Sequence, residues 1–451
     1  MQRRVFLKGL SLVTMSALFP SLASASTPVD LSAVQFDANI YNNNKAQTIM
    51  IYLYGGASEL GANLTNIDEV QEKSQNKYNL DDLTKTTNNF WSQAGGEAME
   101  RMLANGEMNL FRTCYRKDHQ SRSHGVCTSE NQRGLLDVED PSYGAGIFAT
   151  LGKVLANQGA INAETILPFL TMEGESGLFS TGPFDIDAYL RPAAFNESLS
   201  NPYSRDLDNW TSYPLHTNDE WNSDPRPKET QISKEMDSLA ESLNAHAEMQ
   251  NAFNKRETLD TFMKEQKEKV LPEGIEYPNT TFGRRLKAAV NVVTGNPDTK
   301  VISVGGGGLG GWDDHSNAIV AYRNRMTELM NSIEVALKHI AAEGKSNINI
   351  VVFSEFGRNV NLNDSEGWDH GNNQNVFIFG GKEYFNHVGI VGETELQPTQ
   401  SNNRLYTQPK ADAYTFEPYA VAATIYKMYG VTNPEVLTKG YGAIDAGLFK
   451  G

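Results

Sequence analysis

Gln47-Thr48-Ile49-Met50-Ile51-Tyr52-Leu53-Tyr54 is a mostly apolar, β-type run that stops at Gly55-Gly56. A strand with one wet face alternates apolar and polar residues, so an almost continuous apolar run reads as a strand buried on both sides. Working outward, similar short runs appear at 108–113, 300–304, 347–353 and 375–379. Another, 166–171, carries Pro168, which marks it as an edge strand because proline cannot donate to a ladder. Helical patterns fall between the strands. Ile319, Tyr322, Met326, Leu329, Met330, Ile333, Leu337 and Ile340 recur mostly three and four apart, with Ser316 as the candidate cap. Shorter helices are predicted at 282–293 and 418–429. Apolar strands alternating with helices give an α/β fold, a mostly parallel sheet with helices on both faces. The stretch 175–280 departs from this pattern, with little periodicity in 198–230 and a polar, charged helical segment over 231–270. It reads as an insertion or cap, because too few apolar residues are present to core a separate domain.

The chain has 451 residues, 39 Lys and Arg against 55 Asp and Glu, and a net charge of −16. That balance excludes a nucleic-acid backbone as partner, which needs concentrated cations. No apolar run reaches the roughly 20 residues that a membrane span requires. The two cysteines cannot build a disulfide scaffold or an all-thiolate zinc site. Cys114 and Cys127 are left as either one bridge or two unrelated buried thiols.

Arg3-Arg4 is followed by Phe6-Leu7-Lys8, an apolar stretch from Gly9 to Phe19, and the small-residue site Ala23-Ser24-Ala25. This layout resembles a twin-arginine (Tat) export signal, with Gln2 where Ser or Thr is commoner. The expectation is cleavage near Ala25 and a periplasmic or secreted chain, with the Tat machinery as a transient partner. Residues 26–451 then read as one elaborated α/β domain.

Four motifs follow predicted strands: Gly55-Gly56-Ala57-Ser58-Glu59, Ser121-Arg122-Ser123-His124, Gly310-Gly311-Trp312-Asp313-Asp314-His315 and Ser354-Glu355-Phe356-Gly357-Arg358. In a parallel sheet all four loops emerge at the carboxyl edge, where ligands of open α/β folds bind. A fifth, Trp368-Asp369-His370-Gly371, lies close enough in sequence to fold over the same edge. Asp313, His315, Glu355, Asp369 and His370 supply carboxylate and imidazole ligands suited to zinc or manganese. Each histidine taken alone also fits a hydrogen-bonded structural role. Ser121 or Ser123 is a candidate nucleophile at a helix start, with Arg122 to pair with a phosphate or sulfate oxygen. Ser121 as a plain helix cap fits the residue type equally well. The glycine run 305–311 contains a formal G-x-G-x-x-G but lacks the lysine of a P-loop and runs into Trp-Asp-Asp-His. Its glycines are expected to let the backbone approach the site.

In this order, these motifs resemble an exported bacterial family, domain of unknown function fifteen-zero-one, itself similar to a remote branch of the alkaline phosphatase and sulfatase superfamily. Ala422-Ala423-Thr424-Ile425-Tyr426 with Gly430 resembles the last helix of those enzymes. The resemblance covers most of the chain and is weakest over 175–280. It implies that Asp313 and His315 form one metal-binding pair, that His370 is a late histidine ligand, and that Ser121 or Ser123 occupies the nucleophile region. It also exposes two departures. Ser58 stands where the family has an aspartate ligand, leaving Glu59 as the nearby carboxylate for that ion. Phe356 stands where the superfamily has a histidine. One divalent metal, or none, is therefore implied in place of two. Two functions follow: a metal-dependent hydrolase of phosphate or sulfate esters, or a non-catalytic cell-envelope binding protein on the same fold.

Overall fold

The computed structural model describes residues 29–136, 144–174, 176–199, 261–306, 308–398 and 403–451, with isolated positions between 200 and 260. The twin-arginine segment and most of the stretch 200–260 lie outside the described residues.

Eight strands form one sheet. They are β1 (Gln47–Leu53), β2 (Met108–Tyr115), β3 (Phe169–Thr171), β4 (Ala193–Ala194), β5 (Val301–Ser303), β6 (Ile348–Ser354), β7 (Asn373–Gly380) and β8 (Ile390–Val391). Their spatial order is β8-β2-β7-β6-β1-β5-β3-β4. β1 sits at the centre, pairing in parallel with β6 from Gln47↔Ile348 to Leu53↔Ser354 and with β5 from Thr48↔Val301 to Met50↔Ser303. Only β7 runs against its neighbours, pairing antiparallel with both β6 and β2. No helix intervenes between β6 and β7, and without a crossover a returning chain pairs antiparallel.

The helices are α1 (Ala38–Asn44), α2 (Ile67–Lys73), α3 (Gly96–Ala104), α4 (His124–Arg133), α5 (Ile147–Asn157), α6 (Thr281–Gly295), α7 (Ala318–Ala342) and α8 (Ala420–Met428). β1 explains how they are divided. Ile49, Ile51 and Leu53 enter one core with α3, α6 and α7, while Met50 and Tyr52 enter the other with α5 and α8. Every residue of β1 is buried, and the apolar ones from Ile49 to Leu53 form the run that reads so in the sequence. Each such side chain contributes about 1.5–3 kcal/mol of burial.

Two details differ from the sequence expectation. Pro168 does not mark an edge: it precedes β3, which is paired on both sides by β5 and β4. The missing N–H falls outside the ladder, and the two-residue β4 takes the edge instead. This edge strand comes from within 175–280, and Phe195, Leu199 and Met263 from the same stretch join the core beside α6. α7 is capped from elsewhere in the chain. The residue before it is Asn317, with no side-chain capping bond, and the Ala318 N–H donates to the Glu366 carbonyl at 2.9 Å. The turn 363–367 thus takes the role expected of Ser316.

The sheet's polarity positions the site. β1, β2, β5 and β6 end at the same edge, and β7 begins there because it is reversed. Trp368-Asp369-His370-Gly371, just before β7, is brought to that edge by the reversal. A short antiparallel ladder, His370↔Arg358 and Gly371↔Gly357, then fixes it against the loop after β6.

Candidate metal centre

The loops are first locked to one another. Gly55 and Gly56 turn the chain out of β1 with φ of +110° and +82°, values that side chains rarely adopt. A Cβ on Gly55 would lie 2.5 Å from the Asp313 nitrogen, and one on Gly56 would lie 2.3 Å from the Phe356 ring. The close approach that brings the first and third loops together is therefore made at Gly55. Gly305 and Gly308 do something else: Gly305 abuts Glu173 and Gly308 abuts the start of α6.

Arg358, wholly buried, ties three loops with one guanidinium. Its Nε donates to the Gly56 carbonyl at 2.7 Å and its Nη1 to the Trp368 carbonyl at 2.7 Å. Its Nη2 donates to the Gly55 carbonyl and, at 2.5 Å, to Asp313 Oδ1. A planar fork with five donors suits such a junction.

On this frame His124, Asp313, His315 and His370 converge, each offering one ligand atom within 4.8 Å of the others. Asp313 Oδ1 lies 3.0 Å from His315 Nε2, 3.4 Å from His124 Nε2 and 3.6 Å from His370 Nε2. The far nitrogen of each ring is held by a group that accepts hydrogen bonds. His124 Nδ1 meets Glu355 Oε2 at 2.6 Å, His315 Nδ1 meets Asp369 Oδ1 at 3.2 Å, and His370 Nδ1 meets the Arg122 carbonyl at 2.7 Å. A carbonyl or carboxylate can only accept, so each Nδ1 is the donor, and in a neutral ring the Nε2 lone pair then faces the centre. His315 Nε2 and His370 Nε2 are 2.9 Å apart. With both rings neutral, two lone pairs and a carboxylate oxygen at this spacing repel unless a cation lies among them. The donor set, three imidazoles and one carboxylate with the outer nitrogens hydrogen-bonded, fits a divalent transition metal.

Electrostatics agree. Burial opposes ionisation of Asp313, but the hydrogen bond and charge of Arg358 outweigh it and hold the carboxyl below its usual range. Burial, helped by the Arg358 charge, pushes His370 down against the hydrogen bond to the Arg122 carbonyl, and the net shift favours the neutral ring a metal needs. Asp313, His124 and His315 keep 40–48% of their side-chain surface in solvent. Catalytic metal sites keep such an open side.

Of the residues singled out from sequence, Asp313, His315 and His370 lie in the group. Glu355 and Asp369 stand behind the histidines, and Glu355 Oε1 also accepts from the Gly55 N–H at 2.8 Å. Glu59 lies outside the group, buried, with Thr407 donating to its carboxylate at 2.8 Å and Asn373 at 2.5 Å. Ser58 caps its own turn through the Leu60 N–H at 3.3 Å, and Phe356 packs its ring against His124 and His370. Ser121 Oγ accepts from the Ser123 N–H at 3.3 Å, while Ser123 occupies the N-cap position of α4 without a side-chain capping bond. The half-buried Arg122 donates to Asn372 at 3.1 Å and lies 4.3 Å over the Tyr406 ring. Cys114 and Cys127 are free, buried thiols, so the bridge that the sequence left open is not formed.

His124 is the member that sequence reasoning passed over. It closes the Ser-Arg-Ser-His motif, whose serines drew attention as nucleophiles. The available signal was position: it is a third histidine in a carboxyl-edge motif.

Residues 45–449 match the family described as Protein of unknown function (DUF1501), and the chain belongs to that family. No curated protein matches the chain. Among solved structures, the phosphonate monoester hydrolase from Silicibacter pomeroyi matches at 14% identity, covering 89% of this chain and 78% of that one, with a TM-score of 0.28.

Proposed function

We propose that this family member is an exported, metal-dependent hydrolase acting on phosphate or sulfate esters. The observation that carries the reading is the convergence of three imidazole nitrogens on Asp313, each ring oriented from behind by Glu355, Asp369 or the Arg122 carbonyl. His124, Asp313, His315 and His370 would hold the ion. A divalent metal there supplies Lewis acidity toward an ester oxygen and acidifies water. The chain's own residues supply the rest. Arg358 keeps Asp313 ionised and the loops in register, and Phe356 gives the centre an apolar floor. Arg122, steadied on Tyr406 and Asn372, is the candidate partner for an anionic ester oxygen. Ser121 or Ser123, just before His124 in the chain, is the candidate nucleophile. The ester class rests on the resemblance of the motifs to the phosphatase and sulfatase superfamily.

Metal analysis of the purified protein, beside Asp313→Ala and His370→Ala, with a panel of phospho- and sulfo-esters, tests this. About one divalent ion per chain, lost in both variants together with ester turnover, is expected. A wild-type protein with neither metal nor turnover refutes it. Export is tested by fractionation, since Arg3→Lys with Arg4→Lys should leave precursor in the cytoplasm.

Ser58 and Phe356, in place of a second set of ligands, favour a second reading: a cell-envelope binding protein on the same fold. If deleting 198–230 abolishes capture of an envelope partner while Asp313→Ala leaves it intact, this reading replaces the first.

A further inference from the structure

One short segment touches the outer supports of two of the three histidines. Arg404 Nε pairs with Asp369 Oδ2 at 2.9 Å, and Asp369 Oδ1 in turn meets His315 Nδ1. Two residues on, the Tyr406 ring lies under the Arg122 guanidinium at 4.3 Å, and the carbonyl of Arg122 receives His370 Nδ1. Between them Leu405 is buried and pinned by its backbone. Its N–H donates to Asn361 Oδ1 at 2.6 Å and its carbonyl accepts from the Val360 N–H at 2.8 Å. The segment is therefore fixed to the chain that follows Arg358, with one side chain sent to each histidine's support.

We propose that Arg404 and Tyr406 are positioning residues for the metal centre, holding His315 through Asp369 and His370 through Arg122. The inference rests on the metal reading above. The Arg404 guanidinium holds Asp369 by one oxygen, which leaves the other aimed at His315 Nδ1 to fix its tautomer. The Tyr406 face restrains Arg122 by cation–π contact and apolar packing, so the Arg122 carbonyl stays where His370 Nδ1 needs it. Neither residue belongs to the ligand set. Arg404 is half exposed, so its removal leaves no hole in the core.

The test is a cobalt(II) titration of metal-free full-length protein, read by visible absorption and by competition with a chelator. Arg404→Ala and Tyr406→Leu are each expected to weaken cobalt binding by about tenfold or more, the usual scale for outer supports, and to alter the absorption envelope. Arg404→Lys should restore most of the affinity, because it keeps a cationic donor beside Asp369, whereas a packing role would not be rescued. If Arg404→Ala and the double variant bind cobalt with wild-type affinity and an unchanged spectrum, the proposal is overturned while the metal reading stands. If wild-type protein takes up no cobalt, both fall.

Discussion

Glu355→Gln changes one atom of a side chain that is 5% exposed, yet the geometry leaves the new amide no good arrangement. The carboxylate now accepts twice, from His124 Nδ1 at 2.6 Å and from the Gly55 N–H at 2.8 Å. Glutamine offers one acceptor and one donor. If its oxygen stays with Gly55, its NH2 faces His124 and drives the imidazole proton to Nε2, which then points at Asp313 and cannot ligate. Loss of an oriented ligand of this kind costs about 10–100-fold in metal affinity, or ~1.4–2.7 kcal/mol. If the oxygen stays with His124, two donors meet at Gly55 and a buried N–H goes unpaired, at about 1–3 kcal/mol of folding stability. Zinc affinity by chelator competition, with urea unfolding of the metal-free protein, distinguishes the branches. A loss in at least one is expected, and the first is favoured because the Gly55 N–H has no other route to a partner in a turn locked at φ +110°. A variant with wild-type zinc affinity and stability within about 0.5 kcal/mol of the parent would refute the assignment of His124 as an oriented ligand.

Arg358→Met should destabilise the chain by roughly 3–5 kcal/mol in denaturant unfolding, since three backbone carbonyls and Asp313 lose a buried cation together. Glu59 gives a pH signature. Burial raises its carboxyl from 4.5 to about 7, only partly offset by Asn373 and Thr407, so between these values the folded chain holds a proton that the unfolded chain has lost. Its contribution is therefore fully present below about pH 4.5 and is lost as pH rises through about 7, with an amplitude on the order of 3 kcal/mol. Glu59→Gln should flatten that slope in stability measured by denaturant at each pH. Burial also pushes the Cys127 thiol up to about 11 and the Cys114 thiol well up, so neither should react with a thiol reagent until the chain is unfolded, when both should.

How far the site was legible depended on whether a residue's role is set locally. Asp313 and Asp314 are adjacent, and only the fold separates them. Asp313 turns to the histidines, whereas Asp314 is claimed by Arg325 at 2.5 Å on the buried side. Glu355 and Asp369 have the chemistry of ligands, and residue type alone puts them in the set. The structure sets both one layer back, because the ladder at Arg358 and His370 puts the imidazole edges, not the carboxylates, in the centre. The serines were drawn forward by the motif they share with His124.

Sequence alone determined the main buried strands, the long helix after Ser316 and the edge at which the motif loops emerge. A run such as 47–54 can satisfy its hydrophobic surface only as a strand buried on both faces, and parallel strands must release their following loops on one side. Those constraints act over a few residues and survive without coordinates. Which strand reverses, which loop is closest and which nitrogen of each ring bears its proton depend on groups far apart in the chain. His124 waits on Glu355, His315 on Asp369 and Arg404, and His370 on the carbonyl of Arg122. A tautomer is set by what lies beside a ring in space, so only the tertiary structure could decide it.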